Sequence, residues 1–494
     1  MSDSEGQASL TSQVRGAALW SIALVSSRTI LAFLFGLLLA RLLGPEPFGL
    51  IAIALVFIAV GQLLVDAGVG AALVQAKELS QELVRSAFTL QFLLGLVFTI
   101  GLYCLSSSLA SFFGMAGLAP VLQWLSAMFL IQAVGIVPAS LMRRELRQRE
   151  VYEIYLVSYA TSFGLVALPL AVAGRGVISL IAGQLLFAAI SSLWLSLRRR
   201  HSWRPRNPLR EMALLGFGGR VVLVNMVNVV LENADRLFVA RRLTANETGL
   251  YSRAYSTARI GVDSFMTAVS SSLLSGFSRR TDDTAASARG YIAALNAASL
   301  VLMPALVVLA VAAEQITLVL YGPAWIGMSG AMSVLAIGMY FHIATAVSGP
   351  LLWANNHVTV ELVASCVALA VMLAGLWRLG FSLLAAAWIV SIAYAVRAVI
   401  MFLRVTSLLS LPTGRAALAW LRGSRLAMVL LAVSLLTARL PALPAVLIDA
   451  AALCTAWALV LRKRSTMEWS EELRGAMRGF PKSVPVLGGS VDPR

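Results

Sequence analysis

Apolar runs of about twenty residues recur along the chain at roughly 17–40, 48–74, 86–110, 118–142, 152–173, 176–197, 212–239, 249–276, 290–314, 324–352, 358–377, 381–403, 424–438 and 444–461. Nearly all are long enough to cross a hydrocarbon core of about 30 Å; the thirteenth is short. Lipid offers the backbone no hydrogen-bond partner, so each run is predicted to be a helix. The polar stretches between runs reach about twenty residues at most, too short for a soluble domain. The predicted fold class is all-α, a polytopic membrane protein with about 14 transmembrane helices.

Composition agrees with that pattern. The 494 residues are 59% hydrophobic and 13% charged, with a mean hydropathy of +0.84, which excludes a soluble globular protein. The net charge of +16 would suggest nucleic acid in a soluble chain, but here its placement explains it. Take the N-terminus, every even-to-odd connection and the tail as one side. That side carries 27 of the 39 Lys and Arg, against Arg41, Arg175, Arg241, Arg242, Arg378 and Arg439 on the other. By the positive-inside rule both termini are expected in the cytoplasm. The first run lacks a small-residue cleavage site and reads as a retained span. The stretch 465–494 reads as a disordered tail. Cys104, Cys366 and Cys454 lie inside apolar runs and read as small buried apolar residues. With three histidines and no metal or nucleophile motif, no catalytic constellation, metal or cofactor is expected.

Two segments align without gaps at a spacing of 200 residues: Leu39 to Leu50 (LARLLGPEPFGL) and Val239 to Leu250 (VARRLTANETGL). Each joins the first and second spans of a six-span unit. Six is even, so the two units share one orientation, related by an axis along the membrane normal. The expected organisation is an N-terminal lobe over 1–205, a C-terminal lobe over 206–410 and an added helix pair over 411–464.

Six arginines sit within spans or at their ends: Arg28, Arg220, Arg236, Arg253, Arg259 and Arg397. A charge at bilayer depth costs at least about 2.5–3.5 kcal/mol, so each is expected to face the protein interior or water. At about 100° per residue, Arg220, Asn225, Asn228, Glu232 and Asp235 share an arc of about 140° on the seventh span. Ser256, Arg259, Asp263, Thr267 and Ser270 share about 80° on the eighth. Such stripes imply a wet, charged space between spans. Arg259 and Asp263, four apart, are also placed to neutralise each other. Asp66 and Asp263 read equally as ion-coupling sites or as counter-charges, with Glu232 and Asp235 as further coupling candidates. His342 reads as a hydrogen-bonded core histidine, and Glu153, Glu314 and Glu361 as solvated residues near span ends. Neither Arg397 nor Asp449 is given a function.

The chain resembles the polysaccharide flippases of the multidrug/oligosaccharidyl-lipid/polysaccharide exporter superfamily. The resemblance rests on Arg15-Gly16-Ala17-Ala18-Leu19-Trp20, on Ala40 to Leu50 (ARLLGPEPFGL) and on Asp66 to Gln75 (DAGVGAALVQ). It continues in Asp235-Arg236-Leu237-Phe238-Val239 and Gly249 to Tyr255 (GLYSRAY). It implies two six-helix lobes about a central cavity opened alternately to the two sides. The implied cargo is undecaprenyl-diphosphate-linked oligosaccharide, moved across the bacterial inner membrane for exopolysaccharide, capsule or O-antigen assembly. Membrane lipids, and polymerase or export proteins of the same glycan pathway, are the implied partners. A diphosphate needs cationic, hydrated surroundings, for which Arg28, Arg220, Arg253 and Arg259, with Asn225 and Asn228, are the candidate contacts. This sequence departs from an arginine-only cavity by placing acids beside its arginines. A lipid II flippase and a drug/cation antiporter are the alternatives within the superfamily. A membrane polymerase would need a long outer loop, which is absent.

Overall fold

The computed structural model describes residues 24, 27–66, 68–76, 79–207, 219–278, 284–378 and 382–464. At 75, 219–225, 266–278, 286, 461, 463 and 464 it describes the backbone alone. No strand occurs among them. Helix α1 covers 27–43, followed by α2 Pro45–Asp66, α3 Val69–Gln75, α4 Gln81–Phe113, α5 Leu118–Arg144 and α6 Gln148–Thr161. A π-helical turn, Ser162–Ala167, leads into α7 Leu168–Val172 and then α8 Val177–Arg198. The second series is α9 Gly219–Arg242, α10 Ala245–Ser278, α11 Thr284–Val311, α12 Ala313–Leu320, α13 Ser329–Ala354, α14 Val358–Arg378 and α15 Leu383–Leu408. Helices α16 Thr413–Trp420, α17 Ser424–Thr437 and α18 Ala442–Arg464 complete the described residues, and the stretch 465–494 lies outside them.

Eleven of these segments are long and apolar enough to cross a membrane. The other three predicted spans coincide with α1, α9 and α10, and the last two carry the polar stripes. The span predicted over 48–74 is broken: α2 stops at Asp66 and α3 restarts after Gly68, whose φ of 78° needs a residue without Cβ. The break has its own cap, because the Asp66 carboxylate accepts the Gly70 N–H at 3.2 Å. At the far end of α3, Arg144 donates to the carbonyls of Leu73, Val74 and Ala76.

The apolar interior forms two large clusters. One gathers residues between Leu39 and Ala188, the other residues between Leu231 and Ala419. One residue from each half is exchanged: Ala40 is buried in the second cluster and Ala240, its counterpart 200 residues on, in the first. The chain leaving α8 folds back over the arginine-rich ends of α4 and α5. Arg199 pairs with Glu145 at 2.7 Å and Arg206 with Glu82 at 2.7 Å, while His201 packs on Phe88. Burial there holds the His201 imidazole below its usual pKa. The cysteines differ from expectation. Cys104, Cys366 and Cys454 are all exposed on the outside of the bundle, since apolar sequence in a membrane protein faces lipid as readily as core.

Candidate functional site

The repeat-related segments meet each other at the end of the bundle that carries Arg41 and Arg241. A Cβ on Gly49 would stand 1.9 Å from the Ala245 carbonyl oxygen, and one on Gly249 would stand 1.9 Å from that of Pro45. Helices α2 and α10 therefore touch backbone to backbone, in a reciprocal contact about a local two-fold. Both helices start with matched local chemistry. Pro45 takes the first position of α2 after Gly44, and Thr244 with Glu247 forms a reciprocal cap at the start of α10. The symmetry extends outward: Leu50 lies under Gly117 and Leu250 under Gly327.

The two outer arginines also cross between halves. Arg41 Nε donates to the Leu320 carbonyl at 2.7 Å, and its Nη2 donates to that of Val319, capping α12. Arg241 places its guanidinium 5.0 Å from the ring of Phe112, next to the end of α4. Trp325 Nε1 donates to the Ala40 carbonyl at 3.0 Å and its ring meets Phe48 edge-on. This end is closed by contacts between the halves.

Just inside the seal lies Arg253, partly buried on α10. Its guanidinium is 4.3 Å from the ring of Phe48 and 6.0 Å from that of Tyr321, and Gly36 of α1 leaves room for it. Toward the arginine-rich end, Arg28 on α1 is exposed and sits 5.3 Å from the ring of Phe187 and 5.8 Å from that of Tyr155. No carboxylate lies within ion-pairing distance of Arg28 or Arg253 among the described residues.

The C-terminal half arranges its charges differently. Arg259 donates from Nη1 to Glu232 at 2.8 Å and from Nε to both oxygens of Asp263 at 2.9 and 3.0 Å. It also donates to the Tyr255 hydroxyl, which is 2.6 Å from that of Tyr394. Asp235, 1% exposed, accepts from the Tyr251 hydroxyl at 2.9 Å, while its Oδ1 is buried without a hydrogen bond. A second cluster lies between α9, α14 and α15. There Arg397 Nη2 donates to Glu361 at 3.2 Å and to Asn228 at 3.0 Å, and Asn228 donates to Glu361 at 3.1 Å. Trp353 and Ser365 complete it, donating to Glu361 and Asn228.

The structure thus joins Glu232, Arg259 and Asp263 in one network and sets Asn228 in another. The backbones of Arg220 and Asn225 lie on α9, but their side chains fall outside the described residues. Asp66 is engaged at the α2–α3 break. Glu361, expected to be solvated, is buried at 7% exposure, because the first turn of α14 is tucked against α9 and α15. Arg397, given no function from sequence, is its buried partner. Their separation by 36 residues on two helices leaves no mark in either helix's periodicity. His342 is a buried histidine beside Thr345, and Glu153 and Glu314 sit on the outside, as expected.

A family model for polysaccharide biosynthesis proteins matches residues 38–330, which hold the repeat, the seal and most of these charges. The chain belongs to the polysaccharide biosynthesis protein family. Among its relatives is the lipopolysaccharide biosynthesis protein WzxC of Escherichia coli (strain K12). It is 25% identical over 332 residues, 65% of this chain and 66% of that one. The succinoglycan biosynthesis transport protein ExoT of Rhizobium meliloti (strain 1021) is 26% identical over 319 residues, 64% of each chain. The chain thus matches just under two thirds of these relatives' length. Among solved structures, the fold is shared with the lipid II flippase MurJ in an inward closed conformation. The TM-score is 0.70 at 15% identity, over 90% of this chain and 99% of that one. An inward-facing multidrug resistance MATE family transporter of the MOP superfamily matches at a TM-score of 0.62 and 15% identity, over 80% and 98%.

Proposed function

We propose that this polysaccharide biosynthesis protein carries a diphosphate-linked oligosaccharide lipid across the bacterial inner membrane by opening its two halves alternately. The arginine-rich face is assigned to the cytoplasm, and the Arg41 and Arg241 end to the other side. One observation carries the reading: Arg28, over the rings of Tyr155 and Phe187, and Arg253, over Phe48 of the other half, have no carboxylate partner among the described residues, whereas Arg259 and Arg397 are neutralised by acids. A pyrophosphate needs guanidinium groups whose hydrogen bonds are not already committed to carboxylates. Arg28 and Arg253 are therefore assigned as the headgroup contacts, and Arg259 as part of the acid network. Arg220 and Asn225 remain proposed contacts by their positions on α9, and Asn228 is assigned to the Arg397 cluster.

Substituting Arg28 or Arg253 by Ala, and then by Lys, in a strain that depends on this chain for surface glycan tests the assignment. Export is expected to fall strongly with Ala and to recover in part with Lys. Normal export by both Ala variants at normal protein levels would overturn it.

A coupling ion is a second element of the reading, carried by the unsatisfied buried oxygen of Asp235 beside the Glu232–Arg259–Asp263 network. Substrate movement in inverted vesicles is expected to slow when the proton or sodium gradient is collapsed. Indifference to both would remove this element.

A further inference from the structure

Helix α6 carries Tyr155 and Tyr159 four residues apart, hence on one face and one turn, about 5.4 Å, from each other. Both side chains are partly exposed. A cation stands beside them. The Tyr155 ring lies 5.8 Å from the guanidinium of Arg28. Tyr159 meets Phe35 of α1 at 6.4 Å, and the next residue, Gly36, is the one that leaves room for Arg253. Tyr155, Tyr159 and Arg28 thus gather around the one ring of Phe187, at 6.3, 5.6 and 5.3 Å.

The surroundings hold these rings in place. Tyr159 stacks on Phe163 at 4.3 Å and meets Phe187 edge-on at 5.6 Å. Phe163 belongs to the π-helical turn Ser162–Ala167, a distortion that is frequent where a helix builds a functional site. It is locked by Gly183 of α8, where a Cβ would come within 3.1 Å of its ring. The Tyr159 hydroxyl makes no hydrogen bond among the described residues, although a polar handle on a membrane-depth ring normally finds a partner.

Resting on the diphosphate-lipid reading above, we propose that Tyr155 and Tyr159 form a sugar subsite for the pyranose attached to the diphosphate. A pyranose presents C–H groups on its faces and hydroxyls at its rim. An aromatic ring with a hydroxyl meets both, while neighbouring guanidinium groups hold the phosphates. A lipid chain would need no cations here, and a bare diphosphate would need no rings. The one-turn repeat along α6 gives a headgroup the same kind of contact at successive depths.

The test uses the full-length protein in lipid nanodiscs, with undecaprenyl diphosphate and undecaprenyl-diphosphate-glucose as two probes. Native mass spectrometry reads the affinity for each, and the thermal midpoint confirms folding. Tyr159→Ala is expected to weaken the glucosylated probe by roughly three- to tenfold and to leave undecaprenyl diphosphate unchanged. Tyr159→Phe, which keeps the ring and its packing, is expected to fall between. Arg28→Ala is expected to weaken both probes alike. Equal weakening of both probes by Tyr159→Ala, or of neither, overturns the subsite. If wild-type protein binds neither probe, the diphosphate-lipid reading fails and takes the subsite with it. If Arg28→Ala leaves both probes unchanged while Tyr159→Ala discriminates between them, the subsite stands and the phosphate assignment of Arg28 falls.

Discussion

In the N-terminal half, Arg28 lies over two aromatic rings and has no carboxylate beside it among the described residues. In the C-terminal half, Arg259 and Arg397 hold acids at 2.8–3.2 Å. The repeated segments meet in the reciprocal contact of Gly49 and Gly249. The charges of the two halves nevertheless have different partners. A cation packed on rings keeps its hydrogen bonds for a visitor. A cation bonded to two or three acceptors has used its donors and holds its own half together. Cations at similar depth can therefore differ in purpose, and the difference lies in their partners. Arg253 belongs to the C-terminal half by sequence, yet like Arg28 it lies over an aromatic ring, Phe48 of the other half, with no carboxylate partner among the described residues.

The comparison predicts that C-terminal substitutions damage stability while those at Arg28 damage transport. The largest effect is expected at Arg397, whose side chain is 5% exposed and whose partner Glu361 is 9% exposed. Arg397→Ala leaves the buried Glu361 carboxylate without its cation, held only by the neutral donors Asn228 and Trp353, and is expected to cost about 3–5 kcal/mol. Adding Glu361→Gln removes the stranded charge and is expected to recover much of that loss. Thermal unfolding in detergent reads both. A single variant as stable as wild type would erase the distinction between the halves.

Gly49→Ala comes next. Its Cβ has no room against the Ala245 carbonyl, so the two halves cannot close at that end without shifting backbone, at about 1–3 kcal/mol. Gly249→Ala is expected to behave the same way, and both should raise the labelling of a cysteine placed at Phe48 by a water-soluble maleimide. Unequal behaviour of the two variants would show that the contact is not reciprocal. The smallest effect is expected for Arg41→Ala, an exposed charge whose loss frees the Leu320 and Val319 carbonyls to water. About 1 kcal/mol is expected, with labelling at Phe48 raised less than by the glycine variants. A larger effect would make the Arg41 cap, and not the glycine contact, the main seal.

Much of the helical plan was legible because membrane spans write themselves as long apolar runs. The match of Ala40-Arg41 with Ala240-Arg241, closing on Gly-Leu, was legible as a repeat. Its physical reason is the close approach that only glycine permits. The pairing of Arg259 with Asp263 could be read from a spacing of four. Its third member, Glu232, lies 27 residues away on another helix, and the Arg397–Glu361 pair spans two helices as well. Contacts between helices are set by tertiary packing, to which helical periodicity is blind. Asp66 shows a local role that its midspan position does not announce. A midspan acid suggests ion chemistry, and the glycine two residues on also marks a helix break, at which the Asp66 carboxylate accepts the Gly70 N–H. The π-helical turn after Tyr159 has no sequence signal beyond Gly164 and Pro169, which also occur in straight helices.

The account turns on which arginines meet the phosphates. Binding of undecaprenyl diphosphate to protein in nanodiscs, read by native mass spectrometry, separates them most directly. The comparison is between Arg28→Ala/Arg253→Ala and the charge-neutralised set Arg259→Gln/Glu232→Gln/Asp263→Asn. The account predicts that the first variant loses the lipid at least tenfold and that the second retains it within about twofold. Retention by the first and loss by the second would contradict it.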